Sequence, residues 1–503
     1  MTPVRGETRP IPASDTIVTV STFSVGRAGL VSLSGQWVKY LVQILTLVVF
    51  TRLLSAEDFG LVAMATAITG IAWVIGDFGL SLAALQADEL SHDQKSMLFW
   101  ANTGIGVALG IVLAAFAPLI AAFYDQQRLV PVVMVIASTF VFNGIATQFK
   151  IEINRQYRFT ALAGVDVVSQ VVGFAAGLVV ILVGGTYWGI VASTVGMNLV
   201  AMVLFIAVAR WRPGRMRRGT PMRALLAFGG DTFAVQVVTY IATNVDAVLI
   251  GRTRGTDDLG LYNRAFQIAS LPVKQMASPL TRVVLPALSR RNSDPMAYAH
   301  FLTRIQACLN YGLIAVLSGL AAAAHPLIVI VLGAEWAAAG ALLQILSLAA
   351  AFETVGFIYY WVMLSKAKTR VLFWSELFPR VAMVALMIGV SSLGPAAIAG
   401  ALVVGQALMW VVGAFYAMPK VGLPSWSMLA SGVRPLLVFG LAYGAATALL
   451  ALVKPDGVWL ELLVALAGWL AGVALALVVP AVRRDVRAVV TVLAGIRGRR
   501  RTE

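Results

Sequence analysis

The stretch of sequence that decides the fold runs from residue 36 to residue 65 as QWVKYLVQILTLVVFTRLLSAEDFGLVAMA and returns at residues 236 to 265 as QVVTYIATNVDAVLIGRTRGTDDLGLYNRA. Nine of the thirty ungapped positions are identical. Both copies lie on hydrophobic spans separated by an even number of predicted membrane crossings, so they point the same way through a bilayer. Parallel repeats related by an axis along the membrane normal are a transporter architecture. The repeat therefore predicts two similar helical lobes with a cavity between them.

The composition of the whole chain is that of a membrane protein. Of its 503 residues, 59% are hydrophobic and 12% are charged, and the mean hydropathy is +0.86, which excludes a water-soluble enzyme. Runs such as 178–183 and 471–479 are apolar on every side, whereas strands of a transmembrane barrel alternate apolar and polar residues. We therefore predict an all-α polytopic membrane protein with about fourteen transmembrane helices. The predicted spans are 29–53, 57–82, 97–123, 129–149, 160–183, 187–209, 224–250, 258–282, 303–332, 337–363, 370–391, 394–418, 432–453 and 458–480.

These spans divide the chain into two parallel-related six-helix lobes plus two C-terminal helices. The last pair lies outside the repeat, and its faces are mostly alanine, leucine, valine and glycine. The predicted segments are a cytoplasmic N-terminal segment (1–28), an N-lobe (29–209), a basic cytoplasmic loop (210–223), a C-lobe (224–418), spans thirteen and fourteen (432–480) and a basic cytoplasmic tail (481–503).

The basic residues predict the orientation of the chain. With the N-terminus placed inside, 29 of the 38 lysines and arginines fall on the tails and even-numbered loops, 5 on odd-numbered loops and 4 within spans. This bias predicts that both termini are cytoplasmic in a bacterial inner membrane. Because the positive charges flank hydrophobic spans, we interpret them as topology determinants that contact anionic lipids, and we expect no nucleic-acid partner.

Few residues of the chain suit redox or metal chemistry. The sequence has one cysteine, Cys308, and three histidines without the spacing of metal ligands, so neither a disulfide nor a multi-cysteine metal site is expected. It also contains no Walker A pattern. We predict no catalytic residues, no metal and no cofactor.

Polar side chains inside the spans predict a wet cavity that binds an anion. Polar residues share one helical face in each of spans one, seven and eight, and ionisable groups within spans are costly unless they face a cavity or a partner. Lysine and arginine in such a cavity suit phosphate oxygens. The alternative is that Lys39 pairs with an acid such as Asp77. The candidate substrate-binding residues are Lys39, Arg264, Lys274, Gln36, Gln43, Gln236 and Gln267.

Two further sets of charged residues are candidates for gating and for ion coupling. Arg52, Arg252, Asp58 and Asp258 lie at the outer mouth and are candidate gate residues. They could equally anchor the outer interface or bond to each other. The candidate ion-coupling carboxylates are Asp77, Asp246 and Glu353. The alternative for each of these is an ion pair or a hydrogen bond at a helix end.

Three segments resemble a known family. The first segment runs from 259–273 (LGLYNRAFQIASLPV) on through 278–290 (SPLTRVVLPALSR) and looks like the eighth-span region of bacterial polysaccharide (Wzx-type) flippases, nearest to the colanic acid exporter branch. The segment 51–61 (TRLLSAEDFGL) resembles that family's first outer loop, and 155–159 (RQYRF) its loop after span four. Such flippases belong to the multidrug/oligosaccharidyl-lipid/polysaccharide exporter superfamily.

The resemblance implies a substrate and a mechanism. It implies a flippase that moves an oligosaccharide repeat unit on undecaprenyl pyrophosphate from the cytoplasmic to the periplasmic leaflet by alternating access, for exopolysaccharide, capsule or lipopolysaccharide synthesis. It also implies a groove for the lipid tail at spans thirteen and fourteen. A polymerase and chain-length machinery are further expected partners. The alternatives are a multidrug or cation antiporter of the same superfamily, or a polytopic glycan polymerase or ligase.

Overall fold

The structure, a computed structural model, describes residues 22–77, 84, 90–216 and 223–499. Those residues form sixteen α-helices, joined by loops and short helical turns and without a β-strand. In chain order the helices are α1 (Thr22–Leu53), α2 (Ala56–Asp77), α3 (His92–Tyr124), α4 (Leu129–Arg155), α5 (Phe159–Leu182), α6 (Trp188–Val208), α7 (Arg223–Arg254), α8 (Thr256–Ser289), α9 (Pro295–Ala322), α10 (Ala324–Val331), α11 (Ala339–Ser365), α12 (Thr369–Val390), α13 (Pro395–Val412), α14 (Ser425–Val453), α15 (Val458–Ala476) and α16 (Pro480–Arg499).

The helices confirm the predicted all-α polytopic fold. Thirteen of the fourteen predicted spans fall on one long helix each, apart from residues 78–82 of the second span, which lie outside the described residues. Within the described ranges ten helices are long and apolar enough to cross a membrane. Parts of the predicted N-terminal segment, of the loop at 210–223 and of the basic tail lie outside the described residues. The described part of that tail forms the amphipathic helix α16.

The ninth predicted span, 303–332, is two helices rather than one. Helix α9 ends at Ala322, and α10 begins two residues later and contains Pro326 in its first turn. Proline has no N–H group and its ring clashes with the preceding turn, so it is tolerated at the start of a helix and breaks one further along. The break brings the C-terminal end of α10 beside α1.

The helices pack into two bundles that meet through α2, α7 and α8. We call α1–α6 the first bundle and α7–α13 the second bundle; α14 and α15 pack against each other, with α14 also on α9. One apolar core joins the two bundles and includes Leu61, Ile250, Leu259 and Trp336, which are at most 1% exposed. In a lipid environment such close packing, rather than the exclusion of water, holds helices together.

Helices α2 and α8 cross at the junction in a reciprocal way that follows the sequence repeat. They begin at Ala56 and Thr256, and each contributes a glycine, Gly60 and Gly260, to the crossing. A Cβ atom on Gly60 would lie 1.8 Å from the carbonyl oxygen of Thr256, and one on Gly260 would lie 2.0 Å from that of Ala56. The two backbones can approach this closely because neither glycine has a side chain.

Further contacts join the bundles at the same end of the molecule, which we call the Arg52 end. The Arg52 guanidinium donates hydrogen bonds to the carbonyl oxygens of Ile330 and Val331 at the end of α10. The indole of Trp336 donates to the carbonyl oxygen of Thr51, with an N–O distance of 3.0 Å. The Arg52 end is therefore closed by backbone contacts, by hydrogen bonds and by the shared apolar core.

Candidate transport cavity

Helix α8 lines three neighbouring cavities, and the central one shares lining residues with each of the other two. The central cavity, of about 460 Å³, lies between α2, α7 and α8. The first-bundle cavity, about 380 Å³, lies among α1, α5, α6 and α8, and shares Gln267, Leu271 and Gln275 with the central one. The second-bundle cavity, about 250 Å³, reaches from α8 to α11, α12 and α13, and shares Ser270 and Lys274 with the central one.

The sequence of α8 explains why this helix carries the site. It begins after Gly255, whose φ of 89° suits glycine, and has Asp257 and Asp258 in its first turn, where carboxylates stabilise a helix. Polar residues recur along one side, and three prolines interrupt its hydrogen bonds farther along. The helix is thus both polar enough to face water and irregular enough to bend.

Arg264 and Lys274 are the two α8 cations that face these cavities. The Arg264 guanidinium lies over the ring of Phe59, 4.3 Å from its centroid, and its buried Nε has no hydrogen-bond partner among the described residues. The Lys274 ammonium lies 5.2 Å from the centroid of Phe266, at the junction of the central and second-bundle cavities. The residues that the structure describes place no carboxylate within ion-pair distance of either one.

The two α8 cations occupy different levels of the site. They are ten residues apart in the sequence, which corresponds to about 15 Å along an α-helix. Arg264 lines the first-bundle cavity and is nearer to the Arg52 end, whereas Lys274 is farther from that end. A single pyrophosphate group is too short to contact both cations at once.

Lys39 is held by an acid rather than left free. Its ammonium lies 3.6 Å from a carboxylate oxygen of Asp166 on α5, and both side chains are about one-third exposed. The structure thus matches the alternative prediction that Lys39 pairs with an acid, with Asp166 as the partner. The side chain of Asp77, the acid named in that prediction, lies outside the described residues. An ion pair of this exposure contributes little net stability, but it neutralises the charge.

The four predicted glutamines do not share one site. Gln43 and Gln267 line the first-bundle cavity, and Gln267 also lines the central one. Gln36 is exposed on α1 and Gln236 is half-buried on α7, and neither lines any of the three cavities described above.

The candidate carboxylates Asp246 and Glu353 both lie near Lys274. Asp246 is 5% exposed and accepts hydrogen bonds from the Tyr262 hydroxyl at 2.7 Å and from the backbone N–H of Ala247 at 2.8 Å. Glu353 lines the second-bundle cavity together with Arg380. Lys274 lines the second-bundle cavity together with both carboxylates. The central and second-bundle cavities therefore contain a mixed group of cations and acids.

The predicted gate residues have individual roles at the Arg52 end. Ser55 caps α2 by accepting a hydrogen bond from the Asp58 N–H, and the Asp58 carboxylate accepts one in return from the Ser55 N–H. Arg52 bonds the end of α10 instead of Asp58. Arg252 lies over the ring of Phe123, 6.0 Å from its centroid. Asp258 is half-buried in the first turn of α8.

A loop ion pair was missed by reasoning from the sequence. Arg128 and Glu57 join the loop before α4 to the first turn of α2. The hydrogen bond to Glu57 raises the pKa of the Arg128 guanidinium above its ordinary value. The sequence gives no signal for this pair, because the two residues are distant along the chain.

Two aromatic groups also belong to the site, and of their members Trp37 and Tyr262 were not predicted from the sequence. Trp37 and Tyr40 on α1 form an edge-to-face pair with centroids 6.4 Å apart, and both line the first-bundle cavity. Tyr262 donates to Asp246 across the α7–α8 packing. Trp37 is three residues before Tyr40, a spacing that brings two side chains together on one helix face, and that spacing was the signal available.

Comparisons with known proteins identify the family. The family model described as "Polysaccharide biosynthesis protein" matches residues 49–341. The chain belongs to this family. The membership predicted from the three sequence segments is thereby confirmed at the level of the family.

Several curated relatives carry names from polysaccharide synthesis. The teichuronic acid biosynthesis protein TuaB of Bacillus subtilis is 29% identical over 56% of this chain, and the match spans 58% of TuaB. The lipopolysaccharide biosynthesis protein WzxC of Escherichia coli is 23% identical, with 66% of this chain and 68% of WzxC covered. The succinoglycan biosynthesis transport protein ExoT of Rhizobium meliloti is 25% identical, with 78% and 77% covered.

Two solved structures share the fold. The lipid II flippase MurJ in an inward closed conformation has a TM-score of 0.70 at 16% identity, with 89% of this chain and 99% of that chain covered. An inward-facing multidrug resistance MATE family transporter of the MOP superfamily has a TM-score of 0.59 at 14% identity, with 80% and 99% covered. At these identities the likeness shows a common architecture.

Proposed function

We propose that the protein is a flippase for oligosaccharide repeat units linked to undecaprenyl pyrophosphate. It moves them from the cytoplasmic to the periplasmic leaflet of a bacterial inner membrane by alternating access, and it performs no covalent chemistry. The proposal is supported by a single observation above all: Lys274, without an ion-pair partner among the described residues, lines both the central cavity between the bundles and the second-bundle cavity beside it. Relatives named for teichuronic acid, lipopolysaccharide and succinoglycan synthesis agree with it.

Lys274 provides the positive charge that moving a pyrophosphate across the membrane requires. Moving a pyrophosphate into a medium of low dielectric constant is prohibitive unless cations and water accompany it. An ammonium group in a water-accessible cavity supplies both the counter-charge and three hydrogen-bond donors. Asp246 and Glu353, which lie near Lys274, are the candidate groups for coupling flipping to protons or cations.

The orientation proposed from the basic residues assigns each end of the molecule to one side of the membrane. With both termini cytoplasmic, the Arg52 end is periplasmic, and the contacts across α2, α8 and α10 close that side. The substrate then enters from the cytoplasm, and release requires these contacts to break. Arg52 is thereby proposed as part of the outer gate.

An apolar cavity suits the lipid tail. It measures about 260 Å³, lies between α9, α11 and α14, and is lined mainly by apolar side chains such as Leu317, Leu348 and Phe439. Its position beside α14 agrees with the tail groove expected at the last two spans. Membrane lipids are the other proposed partners, and a polymerase with its chain-length machinery would act on the delivered unit.

Deletion of the gene tests the proposed function against its alternatives. A flippase predicts that lipid-linked repeat units accumulate in the inner leaflet, where a membrane-impermeant glycosidase or lectin added to intact spheroplasts cannot reach them. Units that accumulate in the outer leaflet would indicate a polymerase or ligase. Drug sensitivity with normal polymer export would indicate an antiporter, and either of these outcomes would overturn the proposal.

A further inference from the structure

The first-bundle cavity differs in chemistry from the two cavities beside it. Of the described residues that line it, Arg264 is the one charged side chain, whereas Lys274, Asp246, Glu353 and Arg380 surround the others. The charged groups of a substrate therefore gain more electrostatic stabilisation in the central and second-bundle cavities than in the first-bundle cavity. The first-bundle cavity suits a part of the substrate that carries little charge.

Aromatic and polar side chains line this cavity together. On α1, Trp37 is 68% exposed and stands edge-to-face with Tyr40. Gln170 on α5, Ser193 on α6 and Gln43 on α1 line the same cavity. Aromatic faces carry negative electrostatic potential and attract the C–H groups of a sugar ring, while amides and hydroxyls bond to its hydroxyls.

We infer that the first-bundle cavity is a glycan subsite, in which a sugar ring of the lipid-linked repeat unit stacks on Trp37 and Tyr40. Arg264 forms the end of the subsite toward the Arg52 end and donates hydrogen bonds to sugar oxygens. The inference rests on the proposed function and adds to it the place and the chemistry of sugar recognition. The sugar is thereby separated from the pyrophosphate, which binds at Lys274.

The geometry of α8 allows one substrate to occupy both places. Gln267, Leu271 and Gln275 line the central and first-bundle cavities alike, so the two are adjacent along the helix. Arg264 and Lys274 are ten residues apart, or about 15 Å along the axis. That distance is too long for one pyrophosphate and suits a pyrophosphate followed by a sugar.

Arg264 itself supports an occupant with hydrogen-bond acceptors. Its Nε is buried without a hydrogen-bond partner among the described residues, and the face of its guanidinium is covered by Phe59. A buried donor without a partner costs free energy, which a ligand oxygen in the cavity would recover. Sugar hydroxyls provide such oxygens without adding a net charge.

The test compares two lipid probes on the purified full-length protein in nanodiscs. One probe is undecaprenyl pyrophosphate, and the other is the same lipid carrying the repeat unit, extracted from the source strain. We expect Trp37→Ala to weaken binding of the glycan-bearing lipid about 10-fold and to leave binding of the bare lipid unchanged. Lys274→Ala is expected to weaken both probes by the same factor.

Matched variants separate sugar recognition from general damage. Trp374 on α12 is 49% exposed and lines none of the described cavities, so Trp374→Ala should leave both affinities unchanged. Trp37→Phe retains an aromatic face and should restore most of the glycan-dependent affinity. Since Trp37 is largely exposed, removing its ring takes little packing from the core.

The outcomes distinguish failure of the subsite from failure of the proposed function. If Trp37→Ala weakens both probes equally, the cavity holds the lipid tail or the pyrophosphate, and the glycan subsite is wrong. The subsite is also wrong if Trp37→Ala changes neither affinity while wild-type protein prefers the glycan-bearing lipid. If wild-type protein binds neither probe, the proposed flippase function fails first.

Discussion

Lys39 and Lys274 differ in whether their charge is already paired within the protein. Lys39 forms an ion pair with Asp166, whereas Lys274 is available to a substrate. Lys39 has its counter-ion 3.6 Å away, on a different helix of the same bundle. Lys274 lines the second-bundle cavity together with Asp246 and Glu353, and neither carboxylate lies within ion-pair distance of it. A phosphate that binds Lys274 therefore has no ion-paired carboxylate to displace among the described residues. At Lys39 it would have to displace the Asp166 carboxylate.

Replacing both members of the Lys39 pair tests this assignment. We expect Lys39→Met alone to reduce flipping, because it leaves the Asp166 charge uncompensated within a span. The double variant Lys39→Met with Asp166→Leu should recover most of the activity, measured as polymer export at equal protein level. If the double variant is as inactive as the single one, the ion pair does not explain the effect, and Lys39 contacts the substrate.

Lys274 should respond differently from Lys39. We expect Lys274→Ala to reduce polymer export about tenfold or more, since a hydrogen-bonded charge contact contributes about 1.5–3 kcal/mol, and Lys274→Arg to retain part of it. No second substitution at Asp246 or Glu353 should rescue Lys274→Ala if its partner is the substrate. Rescue by Glu353→Gln would instead make Lys274 a structural counter-ion.

At the level of helices, much of the structure follows from simple patterns. Uninterrupted apolar runs predict the fourteen spans because the bilayer demands about 20 such residues for each. The break after Ala322 was missed, although Pro326 was visible, because average hydropathy continues across it. The polar stripe of α8 predicted its role, whereas Trp37 was overlooked because a lone tryptophan on an apolar helix usually faces lipid.

The crossing of α2 and α8 is the closing joint of the two bundles. We expect Gly60→Ala and Gly260→Ala each to hold the Arg52 end open, since the new methyl group would overlap a backbone carbonyl group of the other helix. The measurement is labelling of Leu54→Cys, a buried position at that end, by a membrane-impermeant maleimide in a variant whose Cys308 is alanine.

A glycine in open space provides the control for the crossing. A Cβ atom added to Gly164 on α5 would have nothing within 4 Å of it, so Gly164→Ala should leave labelling unchanged. Faster labelling in the Gly60 and Gly260 variants alone supports the joint. Equal labelling in all three would show that the Arg52 end closes without this crossing.

For the molecule as a whole, the sequence predicted the architecture better than the substrate contacts. The offset of 200 residues between the repeats reappears as the paired starts of α2 and α8. Contacts between distant segments, such as Arg52 with the end of α10, have no local pattern and required coordinates. The same holds for the placement of Arg264 and Lys274 in different cavities, because a shared stripe on one helix does not reveal what packs beside each level.

Membrane potential is expected to drive the transport cycle. Each negative charge carried outward from an interior-negative cell gains about 2.3 kcal/mol per 100 mV. We expect valinomycin with external potassium, which collapses the potential, to slow flipping several-fold in spheroplasts. Unchanged rates under valinomycin, together with a loss under nigericin, would assign the driving force to a proton gradient.

The bond from Arg52 to α10 has an evolutionary consequence. Its acceptors are main-chain oxygens of residues 330 and 331, and every amino acid supplies that atom, whatever its side chain. Drift at the two acceptor positions leaves the bond intact, so no compensating exchange at position 52 is needed. An alignment of homologues should therefore show no correlated substitution between position 52 and positions 330 and 331, because the contact depends on the arginine side chain alone.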